Sequence, residues 1–211
     1  MTFLFSLTVG EPNMQLMERT TVRRVINGWK STGTDKSIRE QTGSSVRTSH
    51  LSYTAAFREK VENLGKERWA ARRILMTEEI GGVISSLENG TAVGVSDGSF
   101  QHKFGTACFI IENKEGTERI VCLIDVPGFS DEHNAYRSEL AGLYGLVRAT
   151  IMLQDIGKLK GGGIELGCDG LSALQRSFQV EAEEISSNQA HFDMHSGIHG
   201  MVRDTSLTWR S

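Results

Sequence analysis

The chain has 211 residues, of which 38% are hydrophobic and 23% charged, with only 2 prolines. This composition supports one packed core and excludes a proline-rich linker protein and a highly charged disordered chain. The formal net charge of −3 gives no overall basic signature of a nucleic-acid binder, although residues 1–88 hold 13 basic and 10 acidic side chains and residues 89–211 hold 10 and 16. An acidic C-terminal half disfavours polyanions unless metal ions intervene.

The cysteines and the apolar runs of the sequence indicate the cellular location to expect. Cys108, Cys122 and Cys168 lie in separate apolar runs, which predicts buried thiols in a reducing compartment. The N-terminal run lacks the basic region and small-residue cleavage site of a signal peptide. No uncharged apolar run reaches the roughly 18 residues that a membrane-spanning helix needs. We therefore expect an intracellular protein, in the cytoplasm or the nucleus, that is neither secreted nor embedded in a membrane.

The N-terminal part of the chain carries few clear structural signals. A polar Ser/Thr/Gly-rich stretch at 31–50 favours loop or disorder, and the composition of 53–87 favours short helices broken by glycines or charges. A turn signal follows at 88–90. We place the domain boundary there, which predicts a poorly ordered or short-helical segment at 1–88 and a folded domain at 89–211.

The second part alternates between β-prone and helical patterns. The β-prone runs lie at 91–96, 105–113, 119–126 and 164–168, with a last one beginning at 207. Helical patterns lie at 135–155, 171–179 and 189–204. Hairpins first and a crossover helix next predict an α/β fold in which three antiparallel strands and then parallel strands form a mixed sheet flanked by helices.

The longest predicted helix runs from Ala135 to Asp155, and Asn134 can cap its first turn. Small residues form a strip along it: Ser138, Ala141, Gly142, Gly145 and Ala149. Because small side chains let a helix approach its neighbour closely, the strip predicts tight packing despite the low helix propensity of two glycines.

Three acidic residues stand out by their positions. Asp97 ends the first predicted strand on the face of Val93 and Val95, whereas Asp169 ends the fourth strand. Glu139 shares a helix face with the apolar Leu143, so it points towards the sheet. If the first and fourth strands are parallel neighbours, both aspartates emerge at the carboxyl edge of the sheet, where open α/β folds bind ligands. Three acids converging there repel one another unless cations lie between them.

Each acid also has a structural alternative. Asp97 before glycine is a common hairpin-turn pair, and Asp169 is suited to cap the helix that follows it. Glu139 becomes a surface residue if the helical phase is shifted by one position.

Four short motifs in this order carry a family resemblance. They are SDGS at 96–99, GTA on the next strand at 105–107, YRSEL opening a helix at 136–140, and CDG ending a strand at 168–170. Over about residues 89–211 the chain resembles the ribonuclease H domain, and it is most similar to those of retroelement polyproteins. The resemblance implies a ribonuclease H-like fold and an endonuclease that cleaves the RNA strand of RNA–DNA hybrids.

The family uses an Asp, Glu, Asp series on these same elements. The resemblance implies that the series binds two Mg²⁺ ions, with Mn²⁺ as a substitute, and that Asp97, Glu139 and Asp169 are the catalytic residues. Asp97 would bridge both ions, Glu139 would hold one and Asp169 the other. These residue types suit the chemistry, because Mg²⁺ prefers oxygen ligands and paired metals stabilise both reacting oxygens of a phosphoryl displacement.

The resemblance also implies substrate contacts beside the acids, at Ser99, Asn134 and Arg137. For Asn134 and Arg137, a helix cap and a solvated charge are the alternatives. Beyond the fifth strand the family has a loop histidine and then a fourth carboxylate on a last helix, whereas this chain stops at Ser211 within that strand. We therefore expect a domain incomplete at its C-terminus, with the last helix missing and weak or no turnover.

The sequence is also compatible with other functions. One is a catalytically inactive retroelement remnant that retains the fold and at most weak nucleic-acid binding. A phosphate-transferring domain of the actin and sugar-kinase type needs two large lobes, for which the chain is too short. A reverse transcriptase is disfavoured because the sequence has no Y-x-D-D string.

Three histidines, His191, His195 and His199, recur at every fourth position of a predicted helix. Imidazoles in this spacing can bind zinc, but such a stripe usually needs a further acid or cysteine ligand. No C-x-x-C pair is present. An ordinary polar helix face is therefore preferred over a zinc site.

Overall fold

A computed structural model describes residues 52–178 and 190–210 of the chain. The prediction of loop or disorder at 31–50 lies outside these residues. The elements in chain order are α1 (Tyr53–Glu62), a 3-10 helix (Gly65–Ala71), β1 (Arg73–Met76), α2 (Gly81–Glu88), β2 (Ala92–Gln101), β3 (Phe104–Glu112), β4 (Arg119–Asp125), α3 (Ala135–Gly157), β5 (Gly163–Cys168), α4 (Leu171–Phe178), α5 (Phe192–Arg203) and β6 (Thr208–Arg210). Among the helices described, none is long and apolar enough to cross a lipid bilayer.

The six described strands form one mixed sheet in the order β1-β4-β3-β2-β5-β6. Strands β2, β3 and β4 are antiparallel neighbours, β5 is parallel to β2, and β6 is parallel to β5. The predicted α/β class, with three antiparallel strands followed by parallel ones and flanking helices, is confirmed. The architecture is compatible with a ribonuclease H-like fold.

Residues 53–88 pack into the same hydrophobic core as the rest of the described chain, across the predicted boundary at 88. Phe57, Ile80 and Leu87 are fully buried in the hydrophobic cluster that also contains Leu143 and Phe109. These apolar side chains lose contact with water only by packing against α3 and the sheet, because the short helices that carry them cannot bury them alone.

Residues 73–76 form a strand, although the sequence favoured a helix there. β1 pairs antiparallel with β4, with Ile74 opposite Cys122 and Met76 opposite Ile120. Cross-strand pairing and burial of Met76 outweigh local helix propensity, which is a weak determinant in a packed context.

β2 is longer than the sequence predicted, because it continues through Asp97 to Gln101. The chain reverses at His102 and Lys103, whose φ angles are 50° and 68°, as two-residue hairpin turns require. Asp97 pairs with Cys108 inside the strand, so the interpretation of Asp97 as a turn residue is wrong. The parallel pairing of β2 with β5 nevertheless ends at Ser96 and Cys168, which leaves Asp97 one residue beyond it.

α3 begins as predicted, because the Asn134 side chain accepts a hydrogen bond of 2.8 Å from the backbone N–H of Arg137. The strip of small residues packs on the sheet. A Cβ placed on Gly142 would lie 3.2 Å from Ser96 Cβ, and one on Gly145 would lie 2.5 Å from Ile124 Cδ1. The predicted close approach of this helix is therefore confirmed.

Candidate metal centre

Asp97, Glu139 and Asp169 meet at one point of the structure. One carboxylate oxygen from each residue lies within 4.8 Å of the others, with Asp97 buried, Glu139 half-buried and Asp169 exposed. The predicted convergence of the three acids is confirmed, and the interpretation of Glu139 as a solvated surface residue is wrong. Gly170, rather than Asp169, directly precedes α4. Carboxylate oxygens at this spacing could hold a metal ion.

Two glycines make the space that Glu139 occupies. A Cβ on Gly98 would lie 2.3 Å from the Glu139 backbone nitrogen, and a Cβ on Gly170 would lie 2.8 Å from Glu139 Cγ. Real side chains do not approach so closely, so each position admits only hydrogen at Cα while Glu139 stays in place. In each Asp-Gly pair the aspartate, Asp97 or Asp169, therefore supplies a carboxylate, and the glycine that follows it leaves room for Glu139.

The environment of Glu139 favours its protonated form in the absence of a cation. The pKa of Glu139 is raised to about 7, mainly by burial and also by the like charges of Asp97 and Asp169. Hydrogen bonds from the Cys168 thiol and the Gly98 backbone N–H act in the opposite direction and lower this pKa. Crowded carboxylates of this kind are stabilised in the charged form by a bound cation.

Cys168 is a neighbour of the site that sequence reasoning did not single out. Its thiol donates a hydrogen bond of 3.4 Å to Glu139 Oε2. Burial, followed by the charge of Glu139, raises the pKa of Cys168 to about 12, so the thiol keeps its proton at neutral pH. Cys168 pairs with Ser96, which lies on the side of the sheet that contacts α3, so Cys168 faces α3 as well.

The predicted substrate residues Ser99 and Asn134 lie outside the carboxylate group. Ser99 is half-buried on β2, two residues beyond Asp97, and pairs with Thr106 of β3. Residues two apart on a strand share a face, so Ser99 and Asp97 point to the same side of the sheet. Asn134 caps α3 with its Oδ1, and its Nδ2 lies 3.1 Å from His191 Nε2.

Arg137 is buried, with 5% of its surface exposed, so its interpretation as a solvated charge is wrong. Its Nη1 and Nη2 donate to the two carboxylate oxygens of Asp193 at 3.1 and 2.7 Å, and its Nε donates to the Pro127 carbonyl at 2.9 Å. This paired hydrogen bond joins the first turn of α5 to the first turn of α3. Sequence reasoning assigned no partner to Asp193.

His195 and His199 of the predicted stripe contact α3 and α4. His195 is only 1% exposed, and its Nε2 lies 3.1 Å from the Tyr136 hydroxyl on α3. His199 Nε2 lies 2.8 Å from the Arg176 carbonyl on α4. Within residues 52–178 and 190–210, only the Asp97, Glu139 and Asp169 group is close enough to share a metal ion. The stripe therefore packs α5 against its neighbours.

The structure defines an α/β protein with a mixed sheet and a group of three carboxylates able to hold a metal ion. No protein-family model matches the chain, and a search of curated proteins found no match. The resemblance to ribonuclease H domains therefore rests on the sequence motifs and stays a prediction.

Proposed function

We propose that this protein is a metal-dependent endonuclease of the ribonuclease H type, from a retroelement polyprotein, that cleaves the RNA strand of RNA–DNA hybrids. The observation that carries the proposal is the convergence of Asp97, Glu139 and Asp169 within 4.8 Å of one another. They come from the middle of β2, the first turns of α3 and the residue after β5, which is the order that the motifs imply.

The donor set fits divalent cations that prefer oxygen ligands. Asp97, Glu139 and Asp169 would together hold two Mg²⁺ ions, or Mn²⁺ in their place. Such ions, when bound, activate water and neutralise charge on a phosphate undergoing displacement. The raised pKa of Glu139 supports this assignment, because a carboxyl group crowded by two acids gains from a cation.

The protein's own residues would position the site and its substrate. The contact of Gly98 with the Glu139 backbone holds α3 against β2, and the Cys168 thiol orients Glu139 through Oε2. Ser99, on the same side of β2 as Asp97, is available for a sugar or phosphate contact. Asn134 and Arg137 would act indirectly, since the first caps α3 and the second anchors α5.

The test is cleavage of a labelled RNA–DNA hybrid with the protein in excess, in Mg²⁺ and in EDTA. We expect cleavage of the RNA strand that needs the metal and that Asp97→Asn abolishes. The matched control is Asp204→Asn, which removes a carboxylate that is 74% exposed outside the site. A single-stranded RNA and a DNA duplex serve as substrate controls.

Two outcomes would contradict the proposal. If Asp97→Asn cleaves as well as the wild type, the three acids are not the active site. If the wild type binds Mg²⁺ or Mn²⁺ but leaves the hybrid intact, the protein is the catalytically inactive alternative.

A further inference from the structure

A pocket of about 250 Å³ lies beside the edge strand β1, away from the carboxylate group. Its charged lining consists of Arg58 from α1, Arg68 and Arg72 around the 3-10 helix, Arg73 at the start of β1, and one acid, Glu62. We call it the arginine pocket. Four guanidinium groups against two carboxylates, Glu62 in the lining and Asp125 beside Arg72, make it a concave site of net positive charge on a chain whose formal net charge is −3.

Two of the four arginines are held in place by the fold. Arg68 Nη1 donates to the Val61 carbonyl at 2.9 Å, and Arg72 Nη1 pairs with Asp125 at the end of β4. A guanidinium carries five N–H donors, so each of these groups keeps donors for a ligand. Fixed orientation lowers the entropy lost when a ligand binds. Arg58 and Arg73 are exposed beside them.

The ligand that this chemistry recognises is a phosphate group. Planar guanidinium forks match phosphate oxygens in paired hydrogen bonds, and a cluster of them binds polyanions through the release of counterions. The position of the pocket at the edge of β1 suits an extended ligand, because such a ligand can lie along the surface without entering the core.

Sheet register relates the arginine pocket to the carboxylates. One cross-strand row runs through β1, β4, β3 and β2 and consists of Arg73, Leu123, Cys108 and Asp97. Neighbouring strands are about 4.8 Å apart, so Arg73 and Asp97 are separated by three spacings, or about 14 Å. Directly opposed residues project from the same face of a sheet, so Arg73 shares the face of Asp97, whereas Ile74 and Met76 of the pocket project from the face that contacts α3.

We propose that the arginine pocket binds phosphates of the nucleic-acid backbone, apart from those that would be held at Asp97, Glu139 and Asp169. This inference rests on the proposed function, and it adds a second contact with the substrate that depends on charge and not on sequence.

The experiment measures binding of a labelled RNA–DNA hybrid in EDTA, which removes metal bridging and cleavage, over a series of salt concentrations. The variant is Arg58→Gln/Arg73→Gln, which removes two charges and leaves the hydrogen bonds of Arg68 and Arg72 in place. We expect the slope of log affinity against log salt to become shallower by about 1 to 2, as loss of one or two phosphate contacts predicts. Adding Arg68→Gln should flatten it further.

The matched control is Arg203→Gln, which removes an arginine side chain that is 80% exposed at the end of α5. It should leave the slope unchanged, and thermal melting checks that all variants fold. If the double variant binds the hybrid as the control does, or if the wild type does not bind, the inference is wrong. Unchanged binding with new self-association would show that the arginines only protect the edge of β1 from pairing.

The two proposals fail in different ways. Cleavage in Mg²⁺ that depends on Asp97, combined with arginine variants that bind normally, would overturn the arginine pocket alone. Binding that depends on Arg58 and Arg73, without any cleavage by the wild type, would overturn the proposed endonuclease alone.

Discussion

Gly98 and Glu139 are in direct contact, since a Cβ on Gly98 would lie 2.3 Å from the Glu139 backbone nitrogen and 2.4 Å from the Ser138 carbonyl carbon. The first turns of α3 therefore rest on the main chain of β2, one residue after Asp97. This contact between two main chains sets the separation of Asp97 and Glu139. Side-chain rotation can therefore change that separation only a little.

The first prediction concerns this contact. Gly98→Ala should lower the free energy of unfolding by about 3 kcal/mol, because the added methyl group meets backbone atoms that cannot move independently. It should also weaken Mn²⁺ binding, since relief of the clash moves Glu139 away from Asp97. Chemical denaturation and metal titration measure the two effects.

Gly161→Ala is the control for this substitution. A Cβ at Gly161 would have no atom within 4 Å, so the change should leave stability the same or raise it by up to about 1 kcal/mol through the unfolded chain. Equal stability of the Gly98 and Gly161 variants would show that α3 does not rest on β2 as described.

The second prediction concerns the metal. Mg²⁺ should raise the melting temperature of the wild type, because a cation that binds only the folded state stabilises it and relieves the repulsion among the three acids. In EDTA, Asp97→Asn should be at least as stable as the wild type, since it removes a like charge that raises the pKa of Glu139. Differential scanning calorimetry with and without Mg²⁺ measures both. A Mg²⁺ response that is as large in Asp97→Asn would place the ion elsewhere.

The third prediction concerns the hydrogen bonds between Arg137 and Asp193. Asp193→Asn should lower the free energy of unfolding by about 1–3 kcal/mol, because the buried guanidinium loses its charged acceptor. Asp204→Asn removes a partner of Arg203 from an ion pair whose side chains are 80% and 74% exposed, and it should cost less than about 0.5 kcal/mol. Urea denaturation of both variants makes the comparison, and equal losses would contradict the structural role of Arg137.

The fourth prediction concerns pH. Burial, with further electrostatic contributions from His199 and Arg176, lowers the pKa of His195 to about 4 from its ordinary value of 6.5. Between about pH 4 and pH 6.5, His195 is therefore protonated in the unfolded chain but neutral in the folded chain. The stability that neutral His195 contributes is fully present above pH 6.5 and is lost as the pH falls towards 4.

His195→Gln isolates this effect, because glutamine can keep a hydrogen bond to Tyr136 without titrating. Denaturation at about pH 7 and about pH 4.5 should show a smaller loss of stability in the variant than in the wild type. If the variant loses as much stability as the wild type between these two pH values, the pH dependence belongs to other groups.

Part of the site could be predicted because it depends on local patterns. The period of two on β2 and the 3.6-residue period of α3 identified Asp97 and Glu139, and the end of an apolar run identified Asp169. The contribution of Cys168 could not be predicted with them, because its thiol meets Glu139 only when β5 and α3 pack together. The roles of Gly98 and Gly170 could not be predicted either, because each glycine makes room for Glu139 only when α3 packs against the sheet.

The sequence by itself determined the local features: the three strands of the hairpin region, the capped helix with its strip of small residues, and the three acids in their order. Only the tertiary structure decided that residues 73–76 pair with β4, that β2 continues through Asp97, and that Arg137 is buried against Asp193. These features depend on contacts between residues about 40 or more positions apart or on pairing with a neighbouring strand, and their energy is not encoded in local propensity. The same holds for the arginine pocket, whose four charges meet only when α1 and the 3-10 helix fold against the edge of the sheet.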